Sequence, residues 1–242
     1  MEIITKTKPH NPITLKAQQG DVIYPNECVM FSTGTAVSIA NPDIMGVLVS
    51  DFTLGNSLGI IDSDFQGEIR CGILNQKHTL ITVPTGKTIG SLFFMPIVKD
   101  VEIIPLRGKI ILPSYATPGA AGMDIFANIS IPLTFYPGET LNITTGFKIV
   151  FNRADIIGML VPRSSMGVKC IGLANTIGII QPNQDEIVVP LINRGRIPYT
   201  VNPKDKICQM IFMPIVLPDF VVVKEFSTST ARSKDGFGST GR

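Results

Sequence analysis

Histidine is almost missing from this chain. Of 242 residues only His10 and His78 are histidine, and neither sits beside a plausible nucleophile, which argues against a Ser-His or Cys-His relay. The four cysteines, Cys28, Cys71, Cys170 and Cys208, lie far apart with no C-x-x-C pairing, so they read as buried thiols rather than as metal ligands or disulfides. Charged residues are scarce at 17%, with a formal net charge of +2, too little to capture DNA or RNA electrostatically. No run of about 18 apolar residues occurs. Met1-Glu-Ile-Ile-Thr5 also lacks the charged and greasy regions of a signal peptide. These absences point to an intracellular protein, cytoplasmic or nuclear, with no membrane and no direct nucleic-acid partner. Catalysis, if present, must rest on carboxylates and on a metal ion.

Glycine and proline are abundant, 22 and 18, and hydrophobic residues reach 44%. Gly and Pro punctuate short runs rich in Ile, Val and Leu, such as Gly46-Val-Leu-Val-Ser50, Glu68-Ile-Arg-Cys-Gly-Ile-Leu74, Lys109-Ile-Ile-Leu112 and Glu186-Ile-Val-Val-Pro-Leu-Ile192. Runs of that length between turn residues are strands of a sandwich or barrel, and no stretch sustains a helical period. The expected fold is all-β.

The chain also repeats itself. Tyr24-Pro25 recurs as Tyr136-Pro137, Thr33-Gly34 as Thr145-Gly146, and Gly46-x-Leu48-Val49 as Gly158-x-Leu160-Val161, each 112 residues later. Asn56-x-x-Gly59-Ile-Ile61 recurs as Asn175-x-x-Gly178-Ile-Ile180 at 119. Glu68-Ile69 returns as Glu186-Ile187, and Phe94-Met-Pro-Ile-Val98 as Phe212-Met-Pro-Ile-Val216, both at 118. Two β domains from a duplication are expected, 1–108 and 109–225, joined near Leu106-Arg-Gly-Lys109, with a flexible tail over 226–242.

The copies have decayed in complementary ways. The first lacks a counterpart of Pro162-Arg-Ser-Ser-Met-Gly-Val-Lys169, and Asp51 stands opposite Arg163. By the same offsets Asp124 faces Pro12 and Gln209 faces Ser91. Conversely Asp62, in Gly59-Ile-Ile-Asp-Ser-Asp-Phe-Gln-Gly-Glu68, corresponds to Gln181 in the second copy. Each copy keeps what the other lost, which implies one composite site between the domains. The tail adds a third part. Arg232 carries a planar charged fork suited to phosphate, Phe237 a stacking face, Gly238 a freely bending backbone, and Ser239 and Thr240 hydroxyl donors. It reads as a strap that orders over a phosphorylated ligand carrying a ring.

These strings resemble the five motifs of the dUTPase family over nearly the whole chain: Ala121-Gly-Met-Asp-Ile-Phe-Ala127, Pro162 to Lys169, Asn56 to Glu68, Lys204-Asp-Lys-Ile-Cys-Gln-Met-Ile211, and the tail. The third motif precedes the others, as in the tandem-domain, monomeric dUTPases of herpesviruses. The resemblance implies jelly-roll-like domains, a monomer with one active site, and Mg2+-dependent hydrolysis of dUTP to dUMP and pyrophosphate. That activity keeps uracil out of DNA and supplies dUMP.

The resemblance also implies roles. Asp62 orients and deprotonates the attacking water, against the plainer reading of Asp-Ser-Asp as a turn. Asn56 meets the uracil edge through its amide, with Gly67 and the hairpin backbone beside it. Phe65, where the family usually has Tyr, lies beneath the deoxyribose without a phenol to donate. Arg163, Ser164, Ser165 and Gln209 hold phosphates; Lys169 is expected to pair with an acidic neighbour. Asp124 acts on Mg2+ through water. Arg232, Phe237, Gly238, Ser239 and Thr240 close the site. Two other readings use the same residues: a dCTP-deaminating relative, which needs a glutamate in the pocket and no strap, and a non-catalytic interaction or signalling module on the same fold.

Overall fold

A computed structural model describes residues 2–4, 12–182, 184–222 and 224. Within them the chain is almost all β, with a single helical turn, α1 (Ser164–Gly167), that no periodicity announced. The first half builds a four-stranded sheet in the order Ile13–Lys16, Thr88–Pro96, Ile44–Val49, Gly59–Ile61. The second builds five strands in the order Ser114–Tyr115, Met123–Phe126, Lys206–Pro214, Ile156–Val161, Gly178–Ile180.

The central strands read as near-continuous apolar runs because both of their faces are covered. Side chains alternate across a strand. In Lys206–Pro214, Cys208, Met210 and Phe212 enter the core of the second half. Ile211 and Met213 point the other way, into a cluster with Met159 and Val161 of the same half and Met45, Val47 and Ile97 of the first. A separate core inside the first half holds Leu15, Ile23, Phe31, Leu48, Ile73 and Leu92. Each such side chain removed from water contributes about 1.5–3 kcal/mol. The halves therefore have their own cores and share a third between their main sheets.

Register repeats with sequence. Thr88–Pro96 pairs with Ile13–Lys16 through an irregularity between Thr88 and Gly90, and Lys206–Pro214 meets Met123–Phe126 with the same break beside Lys206 and Cys208. Buried amides repeat as well. Asn75 Nδ2 donates to the carbonyls of Ile23 and Thr79, and Asn193 Nδ2 to those of Phe135 and Ile197. Thr33 Oγ1 donates to Ile69 O as Thr145 Oγ1 does to Ile187 O.

One alignment shifts in the ladders. Gln209 stands between Asp124 and Val161, whereas Ser91 stands between Thr14 and Val49. Thr14, not Pro12, is thus the counterpart of Asp124: the approach to this strand differs in length between the copies. Glu102–Pro105 pairs with Phe147–Val150, so strand pairing passes to the second half before the Leu106–Lys109 stretch where the junction was expected. The gap in the first copy removes α1 and shrinks the strand after it. Ile171–Leu173 pairs over three residues with Val188–Asn193, where the first copy keeps one isolated bridge, Leu54 to Ile73.

Candidate active site

Asp62 follows the strand Gly59–Ile61, at the point where the chain leaves the sheet and turns toward the other half. Its loop docks on the turn that precedes Met123–Phe126. Ala121 N–H donates to Asp62 Oδ1 at 2.8 Å, while Ser63 N–H and Oγ both donate to Gly119 O, at 3.1 and 3.0 Å. A Cβ on Gly119 would meet the Asp64 side chain, so the two loops pack closely here. Burial pushes the Asp62 carboxyl above its ordinary range; the Ala121 hydrogen bond opposes this, the charges of Asp64 and Asp124 add to it, and Lys99 counters them. A carboxylate so raised and aimed across an interface is suited to accept a proton.

Asp124 is 5% exposed, on the strand beside Gln209. Its Oδ1 lies 3.0 Å from Arg163 Nε and its Oδ2 2.7 Å from Lys206 Nζ. Oδ2 is buried and makes no aligned hydrogen bond, so Lys206 serves it as a charge. Lys206 belongs to a string singled out by sequence but was not itself picked, because its pairing depends on register. Removing the carboxylate leaves two cations face to face. Asp124→Ala should lower stability by about 3 kcal/mol in denaturant titration, the low end for a broken buried pair because Arg163 and Lys206 can still reach water.

Helix α1 carries the phosphate-binding candidates. Arg163 precedes it in extended conformation. Ser164 faces a cavity shared with Asn56, Ile61, Arg70 and Cys28, whereas Arg163 and Ser165 face a polar groove with Lys169, Lys204 and Lys206. The two surfaces meet across the first turn of the helix. The halves touch closely at this point: a Cβ on Gly167 would lie 2.6 Å from Asn56 N and 2.7 Å from Gly55 C. Asn56, Asp62, Asp124, Arg163, Ser164, Ser165 and Gln209 thus gather along one seam.

Three expectations fare differently. Lys169 makes no ion pair among the described residues; its ammonium lies 5.4 Å from the centroid of the Tyr199 ring. Phe65 is 41% exposed and does not line the cavity; its ring covers Gly67, where a Cβ would meet it at 2.7 Å. Arg232, Phe237, Gly238, Ser239 and Thr240 lie outside the described residues. Cys28, in the cavity wall, is pushed up to about 12 chiefly by burial and remains a thiol. The four cysteines are free. No group of three His, Cys, Asp or Glu side chains among the described residues could enclose a metal ion, and no helix there is long and apolar enough to cross a membrane.

Comparison with known proteins places the chain in a family. The family model described as dUTPase matches twice, over residues 14–108 and 108–241. A deoxyuridine 5'-triphosphate nucleotidohydrolase of Paraburkholderia phymatum is 39% identical over 145 residues, 59% of this chain and 97% of that protein. One of the same name from Coxiella burnetii is 42% identical over 139 residues, 57% and 91%. Among solved structures, the dUTPase of Staphylococcus bacteriophage 80alpha, with dUPNHPP, superposes at a TM-score of 0.54 with 20% identity, covering 60% of this chain and 100% of that one; it supports the fold alone.

Proposed function

This chain belongs to the dUTPase family, and we infer that it hydrolyses dUTP to dUMP and pyrophosphate in the cell interior, cytoplasm or nucleus, keeping uracil out of DNA and supplying dUMP. The observation that carries the reading is the contact between the halves at two places, Ala121 N–H on the Asp62 carboxylate and Gly55 and Asn56 against Gly167 of α1. Water attacks the α-phosphorus. As its oxygen bonds, Asp62 takes its proton and the bond to the oxygen bridging the α and β groups breaks, releasing pyrophosphate.

The remaining residues bind and orient. The base enters the cavity beside Asn56 and the strand Gly59–Ile61, where the Asn56 amide offers both a donor and an acceptor to the uracil edge, and the Asp62 to Gly67 backbone, outside the cavity wall, is the further contact the family resemblance implies. A pocket of that pattern rejects cytosine through mismatched donors and thymine through its methyl. Phe65 stands exposed outside the cavity and would have to move over the deoxyribose to exclude a 2′-hydroxyl by bulk. Ser164 donates toward the bridging oxygen, and Arg163, Ser165 and Gln209 hold the phosphates.

The donor set suits Mg2+ carried by the triphosphate and water rather than by a protein cage. Asp124 is a lone carboxylate already facing two cations, and a metal-bound water would reach its buried Oδ2 only with Lys206 swung aside. Bound there, the ion neutralises charge that develops on the phosphate oxygens. Because the acid loop of one half docks on the turn of the other within the same chain, the reading extends to a single composite site in a monomer, similar to the tandem arrangement of the herpesvirus type.

The tail closes that site, Phe237 over the base, and Arg232, Gly238, Ser239 and Thr240 over the phosphates. Deleting 227–242 should slow turnover by ~10²-fold without changing the thermal midpoint, because the strap positions and dries the reacting groups while its sequence carries too little apolar content to build a core. The reading is tested by pyrophosphate release from dUTP, UTP, dTTP and dCTP, with and without Mg2+. Release from dUTP alone, and only with the ion, is expected; ammonia from dCTP would replace this reading with the deaminating one.

A further inference from the structure

Lys99 lies in the connector between the halves, one residue beyond the repeated Phe94-Met-Pro-Ile-Val98, and it belongs to none of the motif strings. It is half-buried, and its Nζ donates to Pro118 O at 3.0 Å while lying 5.5 Å from the centroid of the Tyr115 ring. Pro118 is in the turn that receives Asp62. Within it Ala120 N–H donates to Thr117 O, Gly119 O accepts twice from Ser63, and Ala121 N–H donates to Asp62 Oδ1. The turn is thus clamped from one side by the acid loop and from the other by Lys99.

In the second copy the residue after the repeated string is Leu217, which is 62% exposed. A cation stands at this place only in the copy whose connector passes the acid loop. Asp62 is faced by Asp64 on its own loop, by Asp124 on the strand Met123–Phe126, and by Lys99. Asp124 is itself partnered by Arg163 and Lys206. Lys99 is therefore the cation left to balance the acidic loop.

Resting on the hydrolase reading above, we propose that Lys99 is a positioning residue for Asp62, holding the turn that presents Ala121 N–H to the carboxylate and setting a positive charge opposite it. Its effect is electrostatic as well as steric, and the two separate experimentally. Lys99→Met keeps the stem over Tyr115 but removes the donor and the charge. Lys99→Arg keeps the charge.

The test measures kcat and KM for dUTP against pH in the wild type, Lys99→Met and Lys99→Arg, beside an NMR titration of the Asp62 carboxyl in the free proteins. In Lys99→Met the acid limb of kcat and the Asp62 titration should both move up, by roughly half to one pH unit. KM should stay within about twofold, since Lys99 is away from the nucleotide, and Lys99→Arg should restore both limbs. An unmoved Asp62 titration, or a loss of kcat equal at every pH, would overturn the proposal. A wild type that does not hydrolyse dUTP would overturn the hydrolase reading instead, and the NMR titration still decides the role of Lys99.

Discussion

Asp62→Asn should bind nucleotide normally, turn over ~10²–10⁴-fold more slowly, and melt at a higher temperature than the wild type. The loss follows from removing the proton acceptor while keeping the shape, since the Asn oxygen can still accept from Ala121 N–H. The gain in stability follows from burial. Asp62 is raised in the folded protein, so the folded state binds its proton more tightly than the unfolded chain does. Stability therefore falls as pH rises from the ordinary carboxylate range through the raised value, and the cost persists at neutral pH. The neutral amide escapes it. Calorimetry across pH should show the variant's advantage at pH 7 and its disappearance below the ordinary carboxylate range. In the wild type the same raised carboxyl places the acid limb of turnover above that of a free aspartate.

Gly167→Ala should be the most damaging single methyl. It lies in a helical turn, where alanine is otherwise preferred. The added carbon, however, would fall 2.6 Å from Asn56 N and 2.7 Å from Gly55 C, and backbone cannot swing aside as a side chain can. The halves must part where the cavity meets α1. Displacing Asn56 from Ser164 by about an ångström should lower kcat/KM by ~10²-fold, with about 1–3 kcal/mol lost from stability. Gly108→Ala, where a Cβ meets nothing within 4 Å, is the control and should leave both quantities alone.

The duplication was open to reading because its marks are local. Gly and Pro turns and strings such as Phe-Met-Pro-Ile-Val survive intact, so strand positions and the reciprocal loss of Asp62 and α1 could be read directly. What escaped depends on register and on contacts between the halves. The Thr14 counterpart of Asp124 is a two-residue slip in a segment where the copies share no string. Lys206 meets Asp124 across paired strands, and Lys99 meets Pro118 through a turn whose path no periodicity fixes. Lys169 was assigned an acidic partner by charge alone, and it chose the Tyr199 ring. Asn75 and Asn193 belong to none of the strings singled out by sequence, yet both are fully buried and bridge carbonyls in matching turns.

The account stands on the cooperation of both halves within a single molecule. Asp62→Asn and Arg163→Ala each remove one half's contribution, and pyrophosphate release from dUTP measured for each variant and for their equimolar mixture tests it. The account predicts that both variants are nearly inactive and that the mixture is no better, since every chain carries its own defect. Recovery of activity on mixing would contradict it, because the acid of one chain would then be serving the phosphate loop of another.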